Sequence, residues 1–205
     1  GKDADGAPIW KGKAGPKSAG TLNRYLTSVA GVFTWAMKQR ITPKGWVHPC
    51  RGVGKHREPA GKERFLTPAE CNRLLAAAAA SAWERMHLLV LLALSTGARR
   101  GELTGLRWRD IDLTAGTAHI ARTKNEDAKV LHLVPGACEE LRRFQGKADA
   151  LVFGSARKPG QAYDFSFPWR AALKAAKIRG CRFHDLRHTA ASRMAQAGVP
   201  ALQIA

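Results

Sequence analysis

Two arginine-bearing segments contain the residues best suited to chemistry. The first reads Thr96-Gly97-Ala98-Arg99-Arg100-Gly101-Glu102-Leu103, and the second reads Phe183-His184-Asp185-Leu186-Arg187-His188-Thr189. A planar guanidinium offers paired donors to the two non-bridging oxygens of a phosphodiester and never loses its charge. Arg99 and Arg187 can therefore hold one phosphate, and their charge can stabilise a phosphoryl-transfer transition state without a metal.

His184 adds a group that can exchange a proton at the same phosphate. It precedes Arg187 by three residues on a predicted helix, so the two side chains share a face. An imidazole in that place can donate to the phosphate or shuttle a proton. Two simpler interpretations stay open. Most of the 34 Lys and Arg side chains are merely solvated, and His184 with His188 has the spacing of a metal pair. No third ligand is evident, so we predict no metal.

The charge of the chain favours an anionic partner. Its 205 residues carry 34 Lys and Arg against 16 Asp and Glu, a formal net charge of +18. Residues 1–64 hold 13 of the basic and 4 of the acidic side chains, so the excess is not confined to a tail. Nucleic acid is the first candidate because each neutralised phosphate releases condensed counterions. An anionic membrane surface and an acidic protein are the alternatives.

The rest of the composition limits the class of protein. An apolar fraction of 45% is enough for a core. The four cysteines are scattered without a CxxC pair, which favours reduced thiols in a cytoplasmic protein over a zinc site. The longest apolar run, Leu88 to Leu94, is too short to span a membrane. Because the sequence begins with Gly1, we expect a piece of a longer protein.

The pattern of apolar residues and caps predicts a mainly α fold with a small β-hairpin or sheet, in the α+β class. Residues 117–122 and 130–134 have the pattern of two strands, and Pro135 should end the second. Residues 51–64 are glycine-rich, basic and almost free of apolar side chains. We therefore predict a helical domain at 1–50, a linker at 51–64 and a second domain at 65–205. Helices are predicted over residues 21–40, 67–80, 83–95, 102–106, 137–144, 165–177 and 184–197.

The arginine segments resemble the active-site boxes of the tyrosine recombinases, the phage integrase family. Residues 96–112 resemble the first-arginine box, and residues 184–191 resemble the His-x-x-Arg box. Either box alone would be a weak signal, but their order, spacing and context are those of the family. The resemblance implies that Arg99, His184 and Arg187 are catalytic.

The family carries a further catalytic lysine on a β-hairpin between these boxes. Lys124 lies in the predicted hairpin and matches that lysine, and a lysine in a β-turn can protonate the departing 5′-oxygen. Lys129 is the competing candidate, and a solvated turn lysine is the structural alternative. Glu102 matches an acidic position of the first box, and we expect it to orient Arg99 without taking part in the chemistry.

The resemblance covers nearly the whole chain. Residues 18–36 resemble the last helices of the family's core-binding domain, and residues 64–70 resemble the start of its catalytic domain. Lys13, Lys17 and Arg24 are the expected DNA-binding residues of the first part. The implied partner is double-stranded DNA, gripped between two lobes, with no membrane. Family members act as tetramers on paired sites, whereas this piece is expected to be a monomer.

The implied mechanism needs a nucleophile that this sequence does not supply. In the family a tyrosine attacks the scissile phosphate, a 3′-phosphotyrosyl bond forms and a 5′-hydroxyl departs, with no cofactor. Only 18 residues follow Arg187, and none is tyrosine. The two tyrosines, Tyr25 and Tyr163, lie upstream and match no nucleophile. The family's Leu-Gly-His-like segment is absent as well. We therefore expect the chain to bind DNA without cleaving it.

Several functions fit this incomplete set of residues. An excised piece of a recombinase is favoured over a natural remnant of a mobile element, and over a partner that uses another chain's tyrosine. The predicted function is site-specific DNA recombination or integration by a bacterial or phage-encoded protein. One alternative is a non-catalytic DNA-binding module that occupies attachment sites. Another is a basic α-helical protein that binds RNA or the ribosome.

Overall fold

A computed structural model of the chain describes residues 16–59, 64–120 and 128–200. The chain divides into two compact units, Gly1–Gly61 and Lys62–Ala205. None of the helices in these ranges is long and apolar enough to cross a membrane. The helices are α1 (Ala19–Lys38), α2 (Pro68–Ala79), α3 (Met86–Thr96), α4 (Arg100–Gly105), α5 (Pro135–Phe144), α6 (Ser166–Ala175) and α7 (Asp185–Gln196). The strands are β1 (Ile111–Asp112), β2 (Thr117–Ile120) and β3 (Lys129–His132), so the prediction of a mainly α fold with a small sheet is confirmed.

The described part of the first unit, residues 16–59, contains α1 and a segment that folds back along it. Asn23 is buried on α1, and its side-chain oxygen accepts from the His56 amide at 2.8 Å. Its side-chain nitrogen donates to the His56 carbonyl at 2.9 Å and to Glu58 Oε1 at 2.7 Å. Part of the predicted linker is therefore bound to the helix that precedes it. Several apolar side chains of α1 are exposed, namely Leu22, Tyr25, Val29, Val32, Trp35 and Met37.

In the second unit, α2 begins with a capping box and α3 forms the centre of the core. Thr67 Oγ1 accepts from the Glu70 amide at 3.2 Å, and Glu70 Oε2 accepts from the Thr67 amide at 3.0 Å. Helix α3 is apolar on all sides, as expected of a helix enclosed by others. It packs against α2, α5 and α7. Its fully buried side chains include Leu88, Leu89, Val90 and Leu92.

The sheet has three antiparallel strands in the order β1-β2-β3, one more than the predicted hairpin. Two residues make β1 too short to show an alternating pattern. Strand β3 begins at Lys129 and ends at His132, because Val134 caps α5 and Pro135 is its first residue. In β3 the side chains alternate, so Leu131 is buried while Val130 is exposed. The part of the predicted hairpin that contains Lys124 lies outside the described residues.

Candidate active site

Arg99 stands on a tight turn between α3 and α4. Gly97 ends α3 in the left-handed conformation, with φ of +64°, which a residue without a Cβ adopts at no steric cost. The Thr96 hydroxyl stabilises the turn because it donates to the Leu92 carbonyl at 2.6 Å and accepts from the Ala98 amide at 3.2 Å. Arg99 then adopts extended backbone as the cap of α4, and 44% of its side chain is exposed. The guanidinium can therefore reach a ligand at the surface.

Glu102 fixes the orientation of Arg99 from the first turn of α4. Its Oε2 accepts from the Arg99 amide at 2.7 Å, and its Oε1 lies 3.2 Å from Arg99 Nη1. The same Oε1 lies 2.6 Å from Lys129 Nζ at the start of β3. Burial alone would raise the pKa of Glu102, but the hydrogen bonds from Lys129 and from the Arg99 amide outweigh it and lower that pKa. Glu102 is therefore a carboxylate at neutral pH.

Arg187 reaches the same turn from α7. Its Nη1 donates to the Gly97 carbonyl at 2.8 Å, although the two residues are 90 positions apart in sequence. That carbonyl belongs to the end of α3, where helix acceptors lack partners within the helix. The close packing of α7 is visible at Gly97, where a Cβ would lie 3.5 Å from the Ala190 methyl. The Arg187 side chain is thus held at Gly97, which precedes Arg99 by two residues.

His184 lies at the entrance to α7, one turn before Arg187. Its side chain is exposed, and its ring meets that of His188 edge-on at 5.0 Å between centroids. The turn that carries it is fixed by buried Asp185, whose Oδ2 accepts from the Arg182 amide at 2.7 Å. Thr189 fixes the next turn, since its hydroxyl donates to the Asp185 carbonyl and accepts from the Leu66 amide at 3.0 Å.

Phe165 connects the two arginine segments, which the sequence alone did not predict. The Arg100 guanidinium lies over its ring at 4.8 Å from the centroid, next in sequence to Arg99. The Phe183 ring, next to His184, lies 4.9 Å from the same ring. The sequence does not predict this contact, because Phe165 lies outside both arginine segments and shares no spacing pattern with them. Its ring gives the residues beside Arg99 and His184 a common buried support.

The structure brings part of the predicted set together. Arg99, Glu102 and Arg187 meet around Gly97, and His184 shares a helix with Arg187. Lys124 and Lys13 lie outside the described residues. Lys17 and Arg24 are exposed residues of the first unit. Within the described ranges, no three His, Cys, Asp or Glu side chains are grouped as metal ligands.

The two upstream tyrosines occupy different surroundings. Tyr163 is partly buried and stacks on Trp83, with 4.5 Å between ring centroids and 18° between the ring planes. Tyr25 is an exposed residue of α1, although the helical spacing predicts a packing role for it. Neither tyrosine belongs to the arginine segments in sequence.

Comparison with known proteins gives a consistent family. Residues 64–205 match the family model described as the phage integrase family. The integrase of Salmonella phage P22 is 38% identical over 215 aligned positions, which cover 97% of this chain and 52% of that protein. A shufflon-specific DNA recombinase of Escherichia coli is 32% identical over 188 positions, covering 89% of this chain and 46% of that protein. The chain spans about half the length of these relatives.

Solved structures support the fold at lower identity. The Tn1549 transposon integrase, in complex with a circular intermediate DNA, gives a TM-score of 0.72 at 18% identity, covering 92% of this chain and 70% of that one. A dimer of lambda integrase bound to a core site gives a TM-score of 0.68 at 19% identity, covering 91% of this chain and 70% of that one. The matched family model covers well over half of the sequence, including both arginine segments. The chain therefore belongs to the phage integrase family of tyrosine recombinases.

Proposed function

We propose that this chain binds duplex DNA and holds a phosphodiester between Arg99 and Arg187, as part of a site-specific recombinase. The observation that carries the proposal is the hydrogen bond from Arg187 to the Gly97 carbonyl, which holds the second arginine at the turn of the first. Two guanidinium groups at one place concentrate donors for the non-bridging oxygens of one phosphate. The relatives named as integrases and as a DNA recombinase support the same function.

Each residue has a distinct part in the proposed reaction. Arg99 and Arg187 stabilise the charge that grows on the equatorial oxygens as the phosphate is attacked. His184 donates a hydrogen bond to the phosphate or passes a proton. Lys124 protonates the departing 5′-oxygen, and Glu102 orients Arg99. The attacking tyrosine comes from outside this sequence, and the strands are rejoined through a 3′-phosphotyrosyl bond with no cofactor.

The proposed DNA-binding surface includes both predicted domains. The domains at 1–50 and 65–205, joined by the linker at 51–64, would both bind the duplex, and Lys13, Lys17 and Arg24 would be the DNA-binding residues of the first domain. A longer form of the protein would act as a tetramer on paired sites in the cytoplasm of a bacterium. The 205-residue chain alone would be a monomer that binds DNA without cutting it.

Binding of a fluorescent duplex of mixed sequence, measured by anisotropy over a range of KCl concentrations, tests the phosphate site. Arg99→Ala and Arg187→Ala should each weaken binding by about tenfold, the effect of losing a hydrogen bond between charged groups. Each should also reduce the salt slope by about one. Arg157→Ala, at an exposed arginine outside both boxes, is the matched control and should have the smaller effect.

Three results would contradict parts of the proposal. Unchanged affinity and salt slope in both arginine variants, with remote lysines such as Lys44 controlling binding, would remove the phosphate site. A covalent adduct with duplex DNA that survives denaturation would show that this chain cleaves. Tighter binding of structured RNA than of duplex at equal salt would favour an RNA-associated protein.

A further inference from the structure

Lys129 occupies a position that links the sheet to the arginine turn. It is the first residue of β3 and pairs with Ile120 at the end of β2, so it closes the segment that contains Lys124. Its Nζ lies 2.6 Å from Glu102 Oε1, the oxygen that also faces Arg99 Nη1 at 3.2 Å. The exposed fractions of the two paired side chains are 26% for Lys129 and 8% for Glu102. Glu102 Oε1 is therefore shared by two cations, Lys129 from β3 and Arg99 from the turn before α4.

The burial of Glu102 makes this pairing necessary. A carboxylate withdrawn from water is unstable unless charged or polar donors replace the lost solvation. The Arg99 amide and guanidinium supply two donors, and Lys129 supplies the third. Without Lys129, Glu102 would keep only the two Arg99 donors, so it would be protonated or turned towards water more easily. In both cases the contacts that orient Arg99 would weaken.

We propose that Lys129 is a positioning residue, which keeps Glu102 charged and in place and so sets the orientation of Arg99. The same salt bridge anchors the base of the hairpin segment beside the arginine turn. Lys129 then acts on the phosphate only through Arg99, and the proton donor of the reaction is a different residue. This inference rests on the proposed function for its meaning, but its first test does not involve DNA.

The first test is a carboxyl NMR titration of Glu102 in the free 205-residue chain. In the wild type, the pKa of Glu102 should lie below the ordinary value of 4.5. Lys129→Met should raise the pKa of Glu102 above its wild-type value because burial is then less opposed, and Lys129→Arg should restore it. Lys147→Met, at an exposed lysine that is not one of the Glu102 partners described above, is the control and should leave the titration unchanged. An unchanged Glu102 titration in Lys129→Met would overturn the proposal.

The second test measures duplex affinity in a double-mutant cycle with Arg99. Lys129→Met should weaken binding about fivefold in the wild type and less than about twofold in an Arg99→Ala background, which is the coupling expected of residues that act as one unit. Lys129→Arg should keep wild-type affinity. An equal loss in both backgrounds would make Lys129 a direct phosphate contact and overturn its positioning role. If Arg99→Ala itself has no effect, the proposed function fails, while the titration still decides the role of Lys129.

Discussion

Arg99 and Arg187 are held at the same turn by partners of different kinds. Arg187 donates to an uncharged carbonyl, that of Gly97, from a helix that packs on the core. Arg99 faces a carboxylate, Glu102, whose charge is sustained by a lysine from another element. A carbonyl does not titrate, whereas a carboxylate does. One half of the proposed clamp, at Arg187, therefore depends on packing, and the other half, at Arg99, depends on electrostatics.

The largest expected effect tests whether packing supports the Arg187 half. Thr189→Val keeps the shape of the side chain but removes the hydroxyl that accepts from the Leu66 amide. Because that amide is then buried without a partner, we expect the free energy of unfolding to fall by about 1–3 kcal/mol. Urea denaturation measures this change. Thr104→Val is the control, since its hydroxyl only donates to carbonyls of its own helix. An equal, small loss in both variants would mean that α7 is not anchored through Thr189.

A smaller effect is expected at the turn that both arginines share. Gly97→Ala places a Cβ on a residue with φ of +64° and should cost about 1 kcal/mol of stability. Gly160→Ala is the matched control, because φ there is +79° and the space around it is open. Both variants should lose similar stability in thermal unfolding. Only Gly97→Ala should also weaken duplex binding, because it shifts the backbone that carries Arg99 and the Arg187 acceptor. Equal affinity in the two variants would separate the turn from the site.

The smallest expected effect, a change in the pH dependence of the free energy of unfolding, tests the electrostatic support of Arg99. The pKa of Glu102 is lowered in the folded chain, so its stabilising contribution is present above the ordinary value of 4.5 and is lost as the pH falls through the lower, folded value. Glu102→Gln removes this contribution. The free energy of unfolding should therefore depend less on pH below about pH 5 in the variant than in the wild type. Identical pH dependence in the two proteins would show that Glu102 is not the ionised partner of Arg99.

Local signals predicted much of the fold. The capping box at Thr67 and the end of α3 at Gly97 depend only on residues a few positions away, so both can be predicted from the sequence. The sequence does not predict strand β1, because two residues show no period. The predicted strand at 130–134 ends two residues later than β3 does, because Pro135 begins α5 and does not directly end the strand. A proline suits both positions, and only the packing of α5 decides between them.

For the candidate site, the sequence indicates which predicted residues share an element, and it does not indicate their contacts across the fold. The spacing of His184 and Arg187 on one helix follows from periodicity alone. The bond from Arg187 to the Gly97 carbonyl joins α7 to α3 across 90 residues, and no local pattern encodes it. The pairing of Lys129 with Glu102 depends on where β3 begins, because a shift of one residue would turn Lys129 to the other face of the sheet.

Arg99 and Arg187 are proposed to hold one phosphate. A crystal structure of the 205-residue chain bound to duplex DNA would show whether they do. We expect the guanidinium groups of Arg99 and Arg187 both to lie within hydrogen-bond distance of the same phosphate group, with His184 beside it. Arginines bound to different phosphates, or an Arg99 that remains turned away from the DNA, would rule out the shared phosphate site.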